Sequence, residues 1–169
     1  PRGSHEGQRL DCLFGEVQGS HPLSLDFGTL VQVERLFENV PARLKFLKSI
    51  SAESQQIKKV IRAFALSHPE ISFRIKNGGA LQHYIPKQKS LLERAKTVLA
   101  EELFTGDYSE GHMKVSFAFG SPSRGQKTSQ NIWIFVQKRW VQDRSIQAAV
   151  LDAYRTLLMH GEFPTVVVD

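Results

Sequence analysis

The chain has 169 residues, 41% of them apolar and 23% charged, a composition that fits a folded globular protein and excludes a disordered or purely charge-built chain. Its length allows one modest domain or two small ones. With 22 Lys and Arg against 17 Asp and Glu, the formal charge of +5 favours anionic partners in general without selecting one. The opening PRGSH reads as the remnant of an expression tag, and leaving out its Arg2 lowers the charge to +4.

A single cysteine, Cys12, cannot form an internal disulfide and does not supply a thiolate zinc site. No apolar run approaches the roughly 18 residues of a membrane span, and no secretory segment is visible, so the expectation is a cytoplasmic protein with no membrane contact.

In chain order, the first organised stretch runs from Leu10 to Val33. It reads as two strands around a polar turn region containing Gly15, Gly19, Ser20, His21 and Pro22, with Val31 and Val33 alternating in the second strand. In ENVPARLKFLKS, Asn39 is placed to cap a short helix from Pro41 to Leu47, where Pro41 is preorganised for the first turn. Ile57, Val60, Ile61, Phe64 and Ala65 recur at helical spacing and predict a long helix from Glu53 to Ser67, closed by His68-Pro69. Ile71, Phe73 and Ile75 then alternate in a strand ending at the Asn77-Gly78-Gly79 turn.

Gly, Pro and polar residues between Gly78 and Ser90 interrupt both periodicities and suggest a boundary near residue 87. Ser90 and Glu93 have capping-box spacing before a helix carrying Leu92, Ala95, Leu99 and Leu103 and ending before Gly106. A strand is expected from Met113 to Phe119, a polar loop from Gly120 to Gln130, and an interior strand in the wholly apolar Ile132 to Val136. Asp143 precedes a helix marked by Ile146, Ala149, Val150, Ala153, Tyr154, Leu157 and Leu158, which should stop near Gly161. A final strand, Thr165 to Val168, stops one residue before the chain does, as expected at a fragment boundary.

The histidines form no HExxH or His-x-His arrangement, so no metal site is expected. Neither a Walker loop, a GxGxxG loop nor a nucleophile elbow is present. Between Lys114 and Arg144 the only acidic residue is Asp143, while Lys114, Arg124, Lys127, Lys138, Arg139 and Arg144 are basic. Convergence of these cations on one face would attract phosphate cumulatively; the alternative is a merely solvated basic surface. Lys138 and Arg139 lead as contacts, Arg144 and Arg124 follow, and Lys127 completes the set, all suited to phosphate rather than base identity. Trp140 beside them either stacks on a base or anchors the core.

The segment GTLVQVERLFENVPARLKFLKS, Gly28 to Ser49, resembles the N-terminal region of the MutL family of DNA mismatch-repair proteins, with the pattern GTxVxVxxLFxNxPARxKFL. The resemblance continues through AFALSHPEISFRI, SPSRGQKTSQNIWIFV and DRSIQAAVLDAY, covering most of residues 28 to 169. It implies an α+β fold in which residues 6–86 are the C-terminal portion of a GHKL-type ATPase domain and residues 87–169 a truncated, βαβ-rich transducer domain. Gly28 and Thr29 would then lie at the edge of a nucleotide site; otherwise they simply open a strand. Asn39 and Arg43 would couple the ATP lid to the transducer, or form no more than a helix start.

The family's general-base Glu, its Mg-binding Asn, its DxGxG segment and the lysine of NVHPxKxEVRF have no counterpart in these 169 residues. The resemblance therefore implies ATP and Mg as cofactors of an intact parent, none in this stretch alone, and no hydrolysis by it. DNA, mismatch-recognition proteins, downstream repair proteins and a second copy are the implied partners. A non-enzymatic interaction or structural module without DNA binding is the competing reading. One departure falls at the basic cluster: the family's FVNGRxVxD is FVQKRWVQD here, Gln137-Lys138 replacing Asn-Gly, which leaves the loop geometry open.

Overall fold

The computed structural model describes residues 6–24 and 27–169; the tag-like opening lies outside the described residues. Two compact units divide near Glu53, inside the first turn of a long helix.

In the first unit, β1 (Glu6–Leu13) and β2 (Glu16–Ser24) form an antiparallel hairpin. Its turn is Phe14-Gly15, with φ of 55° and 94°, and the expected turn residues Gly19 to Pro22 lie within β2. Pro22 is tolerated there because a two-stranded sheet leaves each outer edge without a partner for the missing N–H. The expected strand around Val31 and Val33 does not form: residues 29–34 pair with no strand among the described residues, and both valines are more than 70% exposed. Alternation supplies a face but not the hydrogen-bond partner a strand requires.

Helix α1 is confined to Pro41–Leu44 with Pro41 in its first turn. Asn39 does not cap it; Val40 holds the cap position without a side-chain hydrogen bond, and Asn39 lies in the preceding turn. Helix α2 (Ile50–Ser67) begins three residues earlier than expected. The Ser49 hydroxyl accepts from Ala52 N–H and the Glu53 carboxylate from Lys48 N–H, satisfying donors at this end of the helix.

In the second unit, β3 (Phe73–Asn77) pairs with β4 (Ala80–Ile85) across Gly78-Gly79, both at positive φ. β4 occupies the expected boundary segment, which hides a strand because Ala80 to Ile85 lacks strict apolar alternation. Helix α3 (Leu91–Leu99) starts at Ser90, whose hydroxyl accepts from Glu93 N–H, while Glu93 accepts from Lys89 N–H. Left-handed Ala100 ends it by donating its N–H to the Lys96 carbonyl. Leu103 therefore opens β5 (Leu103–Glu110) instead of extending α3, yet is still buried.

The main sheet has five strands in the order β5, β6 (Met113–Gly120), β9 (Val166–Val168), β7 (Ile132–Val136) and β8 (Arg139–Val141). β7 and β9 are parallel and all other neighbours antiparallel; α4 (Arg144–Ala153) lies on the β8-to-β9 connection. One sheet face contributes Leu103, Ala118, Val167, Trp133 and Phe135 to a core shared with Ala63 and Leu66 of α2 and Ala95 of α3. On β6 the helix-facing residue is fully buried Ala118, not the phenylalanines, because a small side chain lets the helices approach. Asp143 caps α4 by accepting from Ile146 N–H at 2.9 Å. α4 ends earlier than its apolar spacing implies, with hydrogen-bonded turns from Tyr154 to Leu158. β9 is an interior strand, and Val166 and Val167, which point to opposite faces of the sheet, are both buried.

Candidate nucleic-acid interface

The five expected phosphate contacts fall in two places. Arg124 ends a one-turn helix (Pro122–Arg124) after β6, and Lys127 follows before the start of β7. Lys138 and Arg139 lie at the opposite, C-terminal end of β7, about 13 Å further along a five-residue strand. Arg144 is the first residue of α4 and exposed. Because β8 runs back along β7, pairing Val141 with Ile134, the chain has returned toward the β7 N-terminus by Asp143. The sequence cluster is therefore two basic groups at the two ends of β7.

The β7–β8 connection is a two-residue turn, with Val136 paired to Arg139. Gln137 and Lys138 have φ of 50° and 63°, as in the turn that Asn-Gly forms most readily. The replacement thus keeps the backbone shape and adds a side chain at its tip. Lys138, Arg139 and Trp140 line a cleft of about 310 Å3 with Val60, Phe64 and Ser67 of α2. Trp140 packs at 5.5 Å centroid separation against buried Trp133, and Lys59 Nζ lies 5.3 Å from the Trp140 ring centre. Trp140 is consequently a half-buried anchor that also places a cation.

Carboxylates partner part of this charge. Lys127 Nζ is 2.9 Å from Glu162 and Lys138 Nζ 3.4 Å from Glu70. Both carboxyls are held below their ordinary range: Glu162 chiefly by the Lys127 hydrogen bond, Glu70 chiefly by its own backbone N–H and then by Lys138. Glu102 is lowered by its hydrogen bond to Lys96, with Arg124 adding a weaker attraction. Among the described residues Arg124, Arg139 and Arg144 form no ion pair, leaving three exposed guanidinium groups open to an anion.

Lys59, Glu70 and Arg94 matter here although no motif singles them out. Lys59 reads only as one polar position of α2, and Glu70 as a loop residue. Arg94 is fully buried, and its Nη2 donates to the carbonyls of Pro69 at 2.6 Å and Ile71 at 2.5 Å, with His68 at 3.5 Å. A charged residue beside Ala95 on the apolar side of an amphipathic helix is the one signal that marks it.

Gly28 has φ of 133°, which glycine adopts without strain, and apart from its two chain neighbours no atom of the described residues lies within 4 Å of where a Cβ would sit. Thr29 beside it is exposed. Asn39 is exposed within its turn, and exposed Arg43 forms no ion pair among the described residues. No group of three metal-ligating side chains gathers among the described residues, and no helix there is long and apolar enough to cross a membrane.

The family described as DNA mismatch repair protein, C-terminal domain, matches residues 93–169. The DNA mismatch repair protein MutL of Geobacter sp. (strain M21) is 31% identical over 98% of this chain, and that of Clostridium botulinum (strain ATCC 19397 / Type A) 33% over 96%. The chain spans about a quarter of these relatives, 26% and 25% respectively. Among solved structures, the Aquifex aeolicus MutL ATPase domain complexed with ADP aligns with a TM-score of 0.72 at 26% identity, covering 97% of this chain and 62% of that one. A second structure of the Aquifex aeolicus MutL ATPase domain supports the fold, with a TM-score of 0.74 at 23% identity, covering 99% and 62%.

Proposed function

This chain belongs to the MutL family of DNA mismatch repair proteins, and from that premise we propose that it supplies a DNA-phosphate-binding surface to an ATP-dependent repair scaffold. In this reading residues 6–86 are part of the ATP-binding domain and residues 87–169 part of the transducer. The observation that carries the DNA assignment is the β7–β8 turn, which presents Lys138 and Arg139 side by side at an open cleft, with Lys59 on its flank. Arg144, Arg124 and Lys127 form the second contact group. Side chains this exposed suit phosphate oxygens, so binding is expected to be indifferent to sequence and sensitive to salt.

For ATP and Mg the fit is partial. Gly28 offers backbone that a phosphate can approach closely, and Thr29 a hydroxyl, but the described residues gather no metal-ligating cluster. We therefore assign these two residues to the edge of a nucleotide site whose hydrolytic chemistry belongs to other parts of the longer relatives. Asn39 and Arg43, at the start of α1, are assigned to coupling between that site and the transducer. Mismatch-recognition proteins, downstream repair proteins and a second copy of the chain are proposed partners on the same premise.

Fluorescence anisotropy with labelled duplex and single-stranded DNA across a salt series tests the surface. Binding of both, weakening linearly in log salt, is expected; no binding at low salt by chain that circular dichroism shows to be folded would refute it. ATP turnover by these residues alone, abolished by Thr29→Ala, would overturn the division of labour.

A further inference from the structure

Resting on the DNA-binding reading, we propose that Glu70 is a built-in competitor for DNA phosphate at Lys138: the cation at the turn is occupied by a carboxylate that nucleic acid must displace. The pair joins residues 68 positions apart, with Lys138 Nζ 3.4 Å from Glu70 Oε1. An exposed ion pair of this kind is ordinarily weak, because two long side chains must be ordered to make it. Here both backbones are already fixed. Glu70 sits between Pro69 and Ile71, whose carbonyls are each held by the buried Arg94 guanidinium, and Pro69 also accepts from Gln88 N–H at 2.7 Å. Lys138 sits at the second position of a two-residue hairpin turn, with a backbone conformation set by the β7–β8 ladder.

The charges point the same way. Glu70 feels Lys138 and His68, and its own N–H bonds its carboxylate, so it is ionised at neutral pH and presents oxygen to the lysine as a phosphate would. Neighbouring Arg139 has no such partner among the described residues. The turn therefore carries one open cation and one screened by the protein itself. Counterions leave the DNA as its phosphates are neutralised, and a Lys138 for which Glu70 still competes neutralises its phosphate less completely, so Glu70 should lower affinity and, more modestly, its dependence on salt.

The test is a double-mutant cycle in the whole 169-residue chain, read by anisotropy with a labelled DNA of arbitrary sequence over a salt series. Glu70→Gln should tighten binding by about 2–5-fold and steepen the log–log salt slope by less than about one. Lys138→Gln should weaken binding, and Glu70→Gln should have no further effect in that background. If Glu70→Gln leaves a binding wild-type chain unchanged, or tightens binding equally with and without Lys138, the competitor role is refuted while the DNA-binding reading stands. If folded wild type and Glu70→Gln both fail to bind at low salt, both readings fall together.

Discussion

Replacing Gln137-Lys138 by Asn-Gly should make the protein more stable and its DNA binding weaker. Both native residues hold left-handed backbone, at φ of 50° and 63°. That conformation costs an L-residue about 1–2 kcal/mol. Glycine removes the cost at Lys138 but returns about 0.4–1 kcal/mol to the unfolded chain's freedom, leaving a gain of about 0.5–1 kcal/mol. Asparagine tolerates the same region and adds a few tenths at Gln137. The side chains lost are exposed, so no buried packing is surrendered, and the exposed Lys138–Glu70 pair that goes with them offsets only a small part of the gain. The sum, about 1 kcal/mol at most, should raise the thermal midpoint by about 2–4 °C and the urea midpoint with unchanged slope. DNA affinity should fall, because the Lys138 charge is gone. A double variant no more stable than wild type would refute the strain argument, and undiminished affinity would remove Lys138 from the contact set.

Arg94→Met should destabilise the chain by about 2 kcal/mol in urea unfolding: two short charge-assisted bonds to carbonyls are lost, partly offset by removing a buried guanidinium whose Nε and Nη1 have no partner. Less than about 0.5 kcal/mol would mean that the clamp adds nothing. Gly106→Ala should cost about 1–3 kcal/mol, since a Cβ there overlaps the Phe117 ring laid across it, and Phe117→Leu should recover part of that loss in the double variant. The Glu70, Glu102 and Glu162 carboxyls are all held below their ordinary value, so their contribution is complete above about pH 5 and is lost as pH falls through the lower folded values. The urea midpoint should be level from about pH 7 to 5 and drop below that, less steeply in Glu162→Gln; a midpoint constant to about pH 3 would contradict these pairings.

The legible parts are those where one chain segment carries its own instructions. Ser90 is read as a cap and acts as one, the helix expected after Asp143 starts there, and the run of Ile132 to Val136 shows an interior strand because both its faces are apolar. Alternation at Val31 and Val33 misleads because a ladder needs a partner as well as a period. The short β8 is hidden because its turn lacks the glycine that usually announces it, and β5 because Leu103 continues a helical spacing after Ala100 has ended the helix. At the candidate site, the cations are visible individually, but their separation into two ends follows from strand register. The pairing of Lys138 with Glu70 depends on a tertiary approach that no local pattern encodes.

The central claim is that exposed cations at the two ends of β7 hold DNA through its phosphates. Its most direct test is the slope of log affinity against log salt for wild type, Arg139→Gln and Arg144→Gln, one arginine from each end and neither in an ion pair among the described residues. Each substitution should weaken binding to all sequences alike and make the slope shallower by about one. Slopes that stay at the wild-type value in both variants, with affinity unchanged, would contradict the account.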